Sequence, residues 1–305
     1  MLFSLGDTVT AGFLAGDSSP LSTNEYRGFS YVTGNQTDAW TLNNFVTQSA
    51  ATLTGGSVNL LNGARPAGTY YSSYDGFNGA TKGSEDYING ELNFVVNQAN
   101  NKVGSTNVSS QWKMVTMYLG LFKACTMCQT TQAAYQTNPT FWGSYYYELI
   151  ENITTTFNQK TMINMVGLPK ISQFYSSTAS ACKSYNQANN ICPCLWSQST
   201  STLDSIITAA NTGMKNAIST WKSSVDQTTT TVGITYQPFL VDTVFASTSL
   251  SSVDCFHPNV DGQKLMTIGL WNNIRQSTKS TSVTSSTSMV CGSPYAAIYS
   301  TTSSY

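Results

Sequence analysis

Residues 5–12 read Leu5-Gly6-Asp7-Thr8-Val9-Thr10-Ala11-Gly12 and continue a short apolar run that begins at Leu2. An apolar run of this length that stops at a glycine is typical of a buried strand that enters a turn. In an open parallel sheet, chemistry takes place beyond the carboxyl ends of the strands. We therefore expect Asp7 and Thr8 to lie at a functional edge of a sheet.

Further apolar and β-branched runs indicate four more buried strands. They are Val58 to Leu61, Lys113 to Leu119, Met162 to Leu168 and Gly233 to Gln237. Apolar residues at helical spacing predict one helix over residues 146–157 and a second helix over Gly262 to Arg275. The first helix would bury Tyr146, Leu149, Ile150, Ile153 and Phe157. This alternation predicts an α/β fold of three layers, α/β/α, with a mostly parallel central sheet.

The composition limits the classes of partner and the number of domains. The 305 residues carry a net charge of -1 and only 10% of them are charged, so we expect no nucleic-acid partner. The best candidate for a transmembrane segment, Met114 to Phe122, is shorter than the roughly 20 residues required. No signal peptide is visible, and we interpret the start as a mature or trimmed N-terminus. We expect one domain over residues 1–296, with a Ser/Thr-rich extended segment and a C-terminal tail within residues 276–305.

The cysteines favour disulfides in an oxidising compartment, and so a secreted or cell-surface protein. The chain has seven: Cys125, Cys128, Cys182, Cys192, Cys194, Cys255 and Cys291. An odd count leaves at least one thiol unpaired or paired between chains. A zinc site is the alternative, but the spacing is not that of two CxxC pairs and the chain has a single histidine. We therefore expect no metal and no other cofactor.

A second motif, Asp254-Cys255-Phe256-His257, lies near the end of the chain. Together with residues 5–12 it resembles the SGNH (GDSL) hydrolases. In that family the serine after Gly-Asp is the nucleophile, the histidine of a DxxH motif is the general base, and the aspartate orients the histidine. The resemblance implies that Thr8, Asp254 and His257 occupy the three positions of a catalytic triad.

Several landmarks between these motifs resemble the phospholipase B-like group of the family, in the same order. They are Tyr26 to Tyr31, Gln111 to Thr116, Cys192-Pro193-Cys194-Leu195, Gln237 to Phe239, Leu270 to Asn273 and Ser293 to Tyr295. The resemblance covers residues 2–296 and implies the family's flavodoxin-like three-layer fold. For the cysteines we expect the bridges Cys125–Cys128, Cys182–Cys192 or Cys182–Cys194, and Cys255–Cys291.

Three positions depart from the family's pattern. Thr8 stands where the resemblance places the nucleophilic serine. The family's Gly-Gly-Asn-Asp-Leu-Cys block, whose asparagine donates to the oxyanion, reads Gly120 to Cys125 here. Aligned on the cysteine, Phe122 replaces that asparagine and Lys123 replaces the following aspartate. The family's glycine donor corresponds loosely to Gly63.

These replacements predict a pseudoenzyme. Phenylalanine has no side-chain donor for an oxyanion, and the β-methyl group of threonine restricts its hydroxyl. The leading hypothesis is a structural or binding protein outside the cell, such as a filament or surface-coat subunit that assembles with itself or with extracellular partner proteins. One alternative is an active lipid or carboxylic-ester hydrolase that uses Thr8, and the other is a carbohydrate- or lipid-binding module. Lys123 either neutralises Asp7 or Asp254 in a former substrate cleft or points to solvent.

Three sequons give a first prediction. They begin at Asn35, Asn107 and Asn152. If the protein is secreted, these asparagines should be exposed and at least partly glycosylated, and Asn152 should be the least accessible because Ile153 belongs to the predicted buried face. Intact mass before and after enzymatic deglycosylation measures the modification. An unchanged mass would mean that there are no N-glycans and would weaken the case for secretion.

Overall fold

The computed structural model describes residues 1–19, 22–49, 53–58, 66, 68–81, 84–176 and 180–290. The strands are β1 (Leu2–Gly6), β2 (Lys113–Tyr118), β3 (Thr161–Val166) and β4 (Val232–Gln237). The helices are α1 (Leu42–Ser49), α2 (Ser72–Asp75), α3 (Ser84–Val103), α4 (Ser105–Ser110), α5 (Leu121–Thr126), α6 (Pro139–Thr156), α7 (Gln173–Ser176), α8 (Ser180–Ala188), α9 (Cys194–Ser197), α10 (Thr200–Ser224) and α11 (Val260–Arg275). Short 3-10 turns are formed by Arg27–Phe29, Met127–Gln129, Ala133–Tyr135 and Ser247–Ser249.

The four strands form one sheet in the order β1-β2-β3-β4, and every neighbouring pair is parallel. The register brings Ser4, Thr116, Asn164 and Thr235 side by side across the sheet. Nearly all strand residues are buried, which is the pattern of a parallel sheet covered on both faces. The predicted α/β fold with a parallel central sheet and flanking helices is therefore confirmed.

Four of the five predicted strands are confirmed, with small shifts at their ends. The fifth, Val58 to Leu61, is not observed as predicted. Val58 belongs to no strand. It lies in a loop, where its backbone N–H donates to the carbonyl of Tyr74 in α2 (2.9 Å). The remaining residues of that run, 59–61, lie outside the described residues.

Helices α3, α6 and α10 cover one face of the sheet. The ring of Phe3 in β1 lies 4.9 Å from the ring of Phe157, which directly follows α6. Helix α6 begins where Asn138 accepts a hydrogen bond from the backbone N–H of Thr140 (2.9 Å), with Pro139 in the first turn. The helix predicted over residues 146–157 is thus confirmed, although it begins earlier than the apolar pattern indicates.

Sequence reasoning did not predict the long helix α10, which packs along α6. Gly213 allows the close approach of the two helices, since a Cβ atom there would lie 2.5 Å from Cβ of Trp142 and 2.6 Å from the backbone nitrogen of Gly143. Although α10 has 25 residues, no helix in the described part of the chain combines the length and the apolar character needed to cross a membrane.

The predicted helix α11 is confirmed, and it lies on the opposite side of the sheet. Ser4 points to that side, where its Oγ lies 3.0 Å from Oγ1 of Thr33. Two side chains of α11 hold the nearby loop. Gln263 accepts a hydrogen bond from the backbone N–H of Tyr31 (3.0 Å), and the hydroxyl of Thr267 donates to the carbonyl of Tyr31 (3.1 Å). The sheet is therefore the middle of three layers.

The disulfide pairing differs from the expected one. The structure contains Cys125–Cys192, Cys128–Cys194 and Cys182–Cys255. The expected Cys125–Cys128, Cys182–Cys192 or Cys182–Cys194, and Cys255–Cys291 bridges are therefore wrong. Cys125 and Cys128 are about one helical turn apart and face the same way, so each reaches its own partner in the segment 192–194. Both cysteines of that segment are bonded, and Cys291 lies outside the described residues.

Hydrogen bonds hold the segment that follows α11. The side chain of Asn272 donates to the carbonyl of Ser288 (2.9 Å) and accepts from the backbone N–H of Val290 (2.8 Å). The indole of Trp271 donates to the carbonyl of Val290 (3.0 Å). Residues 276–290 contain no helix or strand, and most of their side chains are exposed. Contacts with α11, rather than a bridge from Cys255, thus anchor this segment.

The bridges Cys125–Cys192 and Cys128–Cys194 close nearly the same loop of the unfolded chain, since they span 67 and 66 residues. While one bridge remains, the other closes a loop of only a few residues. We expect Cys128→Ala with Cys194→Ala to lower the free energy of unfolding by about 2 kcal/mol, and removal of both bridges to lower it by about 6 kcal/mol. Urea unfolding of the variants measures both values. A loss of about 4 kcal/mol from the single bridge would contradict the shared loop.

Candidate active site

Thr8 sits in a tight turn at the carboxyl end of β1. The carboxylate of Asp7 accepts a hydrogen bond from the backbone N–H of Val9 (2.9 Å), and the carbonyls of Asp7 and Thr8 accept from the N–H groups of Ala11 (3.0 Å) and Phe13 (2.9 Å). These bonds fix the backbone on both sides of Thr8. Within the described part of the chain, the backbone N–H of Thr8 itself has no acceptor.

Two buried side chains brace this turn from outside. The hydroxyl of Ser30 and the amide of Asn78 both donate to the carbonyl of Thr10, at 2.7 and 3.0 Å. Arg27 in turn donates to the carbonyls of Asn78 (3.1 Å) and Ala80 (2.5 Å). Its guanidinium also lies within 3.0 Å of two carboxylates, those of Glu25 and Asp75. In the sequence Arg27 served only as a landmark of the resemblance, and the oppositely charged Glu25 two residues before it was the available signal of an ion pair.

Asp254 and His257 occupy one turn directly before α11. One carboxylate oxygen of Asp254 accepts from the backbone N–H groups of Phe256 (3.0 Å) and His257 (3.1 Å), and the other accepts from Nδ1 of His257. Cys255 between them has a φ of 51°, a left-handed conformation that reverses the chain within the turn. With Nδ1 carrying the proton, Nε2 of His257 is left as an acceptor.

A hydrogen bond joins the two ends of the chain. Oγ1 of Thr8 lies 2.8 Å from Nε2 of His257, across 249 residues of sequence. All three side chains are buried, with exposed fractions of 6% for Thr8, 1% for His257 and 0% for Asp254. The order hydroxyl, imidazole, carboxylate is the arrangement in which a base polarises a nucleophilic hydroxyl and the carboxylate orients the base.

Aromatic rings enclose the imidazole of His257. The ring of Phe122, in the first turn of α5, is stacked on it with centroids 5.5 Å apart and planes 25° apart. The ring of Phe13 meets it edge-on at 5.0 Å, and that of Phe256 at 5.4 Å. Phe122 therefore places a hydrocarbon surface, and no hydrogen-bond donor, beside the base.

Of the two remaining candidate residues of the site, the structure describes Lys123 but not Gly63. Gly63 lies outside the described residues. Lys123 is half-buried, and its Nζ lies over the rings of Tyr145 (5.0 Å) and Phe141 (5.8 Å). Its charge is therefore in contact with aromatic faces rather than fully in solvent.

Tyr185 approaches the site from α8. Partial burial, together with the negative charges of Asp254 and Asp17, raises the pKa of Tyr185 to about 12. The hydroxyl therefore stays protonated at neutral pH and donates to the carbonyl of Ser22 (2.9 Å).

Within the described residues, no group of three or more His, Cys, Asp or Glu side chains is arranged to hold a metal ion.

The three candidate glycosylation sites lie in one loop and two helices. Asn35 is exposed in a loop, and Asn107 is exposed in α4. Asn152 is half-buried in α6, next to the buried Ile153. Glycosylation at these positions stays a prediction.

Comparison with known proteins identifies the family. The sequence pattern of the family described as GDSL-like Lipase/Acylhydrolase matches residues 2–270. The chain is also similar to the human (Homo sapiens) protein named Phospholipase B1, membrane-associated, with 25% identity over 206 residues. That alignment covers 62% of this chain but only 13% of the human protein. Since the match to the family extends from β1 into α11, the chain belongs to the GDSL-like lipase/acylhydrolase family.

Proposed function

We propose that this chain is an extracellular, phospholipase B-like member of its family that has lost most of its ester-hydrolysing activity and acts as a structural or binding protein. The observation that carries the proposal is the Phe122 ring stacked on His257. Acyl transfer passes through a tetrahedral oxyanion, which needs donors directed at it. Beside the base, this chain offers a phenyl ring instead.

The expected loss of rate is large. Removal of one oxyanion donor lowers kcat by roughly 100- to 1000-fold in a well-studied protease. The β-methyl group of Thr8 adds a second obstacle, because it limits the rotamers of the hydroxyl and crowds its approach to an acyl carbonyl. These effects are not additive, but either one leaves a poor esterase.

An extracellular location and a role in binding are supported by properties of the whole chain. Three disulfides favour an oxidising compartment. Only 10% of the residues are charged, so copies of the protein repel one another weakly and self-assembly is favoured. The partners that fit are other copies of the chain, extracellular proteins, glycans or lipid esters held without turnover.

A second candidate function is hydrolysis of lipid or carboxylic esters by Thr8. The observation in its favour is the 2.8 Å contact between Thr8 and His257, which Asp254 continues. In this reaction His257 takes the proton of the hydroxyl as Oγ1 of Thr8 attacks the acyl carbon. The backbone N–H of Thr8 stabilises the oxyanion, the alcohol leaves with the proton, and water then hydrolyses the acyl-threonine.

The two candidates make different predictions for turnover of short acyl esters. We expect no measurable hydrolysis by the unmodified protein and little recovery with Thr8→Ser alone, because Phe122 offers the oxyanion no side-chain donor. Thr8→Ser combined with Phe122→Asn and Lys123→Asp should raise the rate by roughly 100- to 1000-fold over Thr8→Ser. Initial rates on a chromogenic acetate ester measure the series.

His257→Ala in each background is the control, and it should abolish any recovered activity. Turnover by the unmodified protein that survives His257→Ala would indicate a contaminant. Turnover that is lost both with Thr8→Ala and with His257→Ala would establish Thr8 as a working nucleophile. That result would replace the first candidate by the second.

A further inference from the structure

Disulfides join one short segment both to the region of Phe122 and to the turn that carries His257. We call residues 182–194 the stapled segment, because Cys182, Cys192 and Cys194 all lie in it and all are bridged to other parts of the chain. Two of its bridges reach the region of α5, which carries Phe122. The third, Cys182–Cys255, reaches the turn that carries Asp254 and His257.

The stapled segment also makes a polar contact with that turn. The amide of Asn186 donates to the backbone carbonyl of Asp254 (2.8 Å). Asn186 is 1% exposed, and its own backbone carbonyl accepts from the N–H of Ile191 (2.8 Å). A buried amide with a fixed backbone has little freedom to move. It therefore fixes the position of the peptide that follows Asp254.

The bridged residue of the turn is the one with the least favourable backbone. Cys255 has a φ of 51°, which residues other than glycine rarely adopt. This conformation brings the carboxylate of Asp254 back onto the backbone N–H and the ring of His257. A relaxed Cys255 would turn the carboxylate away from the imidazole.

We infer that Cys182 and Asn186 are positioning residues for His257, which they hold against Thr8 through the turn at 254–257. Cys182 fixes Cys255 covalently, and Asn186 fixes the carbonyl that precedes it. Neither residue touches Thr8 or the imidazole. The inference concerns the position of His257 alone and stands whether or not Thr8 turns over an ester.

The chain is well suited to a test, because His257 is its single histidine. Two readouts report on that ring without background, namely the ring 15N spectrum, which gives the tautomer, and the rate of carbethoxylation by diethyl pyrocarbonate. Thr8→Ala, which frees Nε2, establishes the range of the carbethoxylation rate, and the urea-unfolded protein gives the 15N spectrum of an unconstrained ring. Cys182→Ala with Cys255→Ala is the test variant. Cys128→Ala with Cys194→Ala is the matched control, since it removes a bridge of the same segment that does not reach the turn.

In the test variant we expect loss of the single Nδ1–H tautomer and an increase of about tenfold in the carbethoxylation rate, as for a locally opened turn. The matched control should retain the tautomer and stay within about twofold of the unmodified protein. Equal effects in the two variants, or no effect in either, would overturn the inference, since the bridge would then contribute only to general stability.

Asn186→Leu keeps every bridge and tests the amide by itself, also in the event that the double cysteine variant does not fold. We expect the same change of tautomer and an increase of about threefold in the carbethoxylation rate, with the unfolding transition retained. An unchanged spectrum and rate in Asn186→Leu would exclude Asn186 as a positioning residue.

Discussion

The hydrogen bond between Thr8 and His257 constrains the positions of β1 and α11 relative to each other, because it joins two turns that lie 249 residues apart in sequence. Thr8 must lie at the carboxyl end of β1, and His257 must lie directly before α11. Both conditions follow from a parallel sheet with α11 on one face, since that helix then begins at the functional edge. The loop packed against α11 through Gln263 and Tyr31 holds the two turns at a fixed distance.

The sequence predicted the elements that depend on local pattern. Apolar runs indicated β1 to β4, and the spacing of Asp254 and His257 indicated that both share one turn. It predicted disulfides but not their pairing, because the pairing depends on which segments the fold brings together. Helix α10 was also missed, although Leu203, Ile207 and Met214 belong to a buried face at helical spacing that the sequence shows. Its close contact with α6 could not be predicted, because the role of Gly213 is visible only when the two helices meet. Gly63 lies outside the described residues, so the correspondence drawn for it stays a prediction.

The retained Asp254–His257 pair does not by itself argue for catalysis. A buried carboxylate is costly unless it is hydrogen-bonded, and here two backbone N–H groups and the imidazole all donate to it. Removal of His257 would leave that charge underbonded, so selection for stability alone can preserve the pair. In the proposed function the residue that separates catalysis from structure is Phe122, since its ring packs on His257 and has no hydrogen-bond donor for an oxyanion.

Covalent capture of Thr8 by a fluorophosphonate tests the central claim most directly, because the reagent needs both an activated hydroxyl and support for the developing oxyanion. The account predicts no adduct on the unmodified protein and a slow adduct on Phe122→Asn, located at Thr8 by peptide mass and absent from Thr8→Ala. Rapid labelling of Thr8 in the unmodified protein, lost with His257→Ala, would contradict the account.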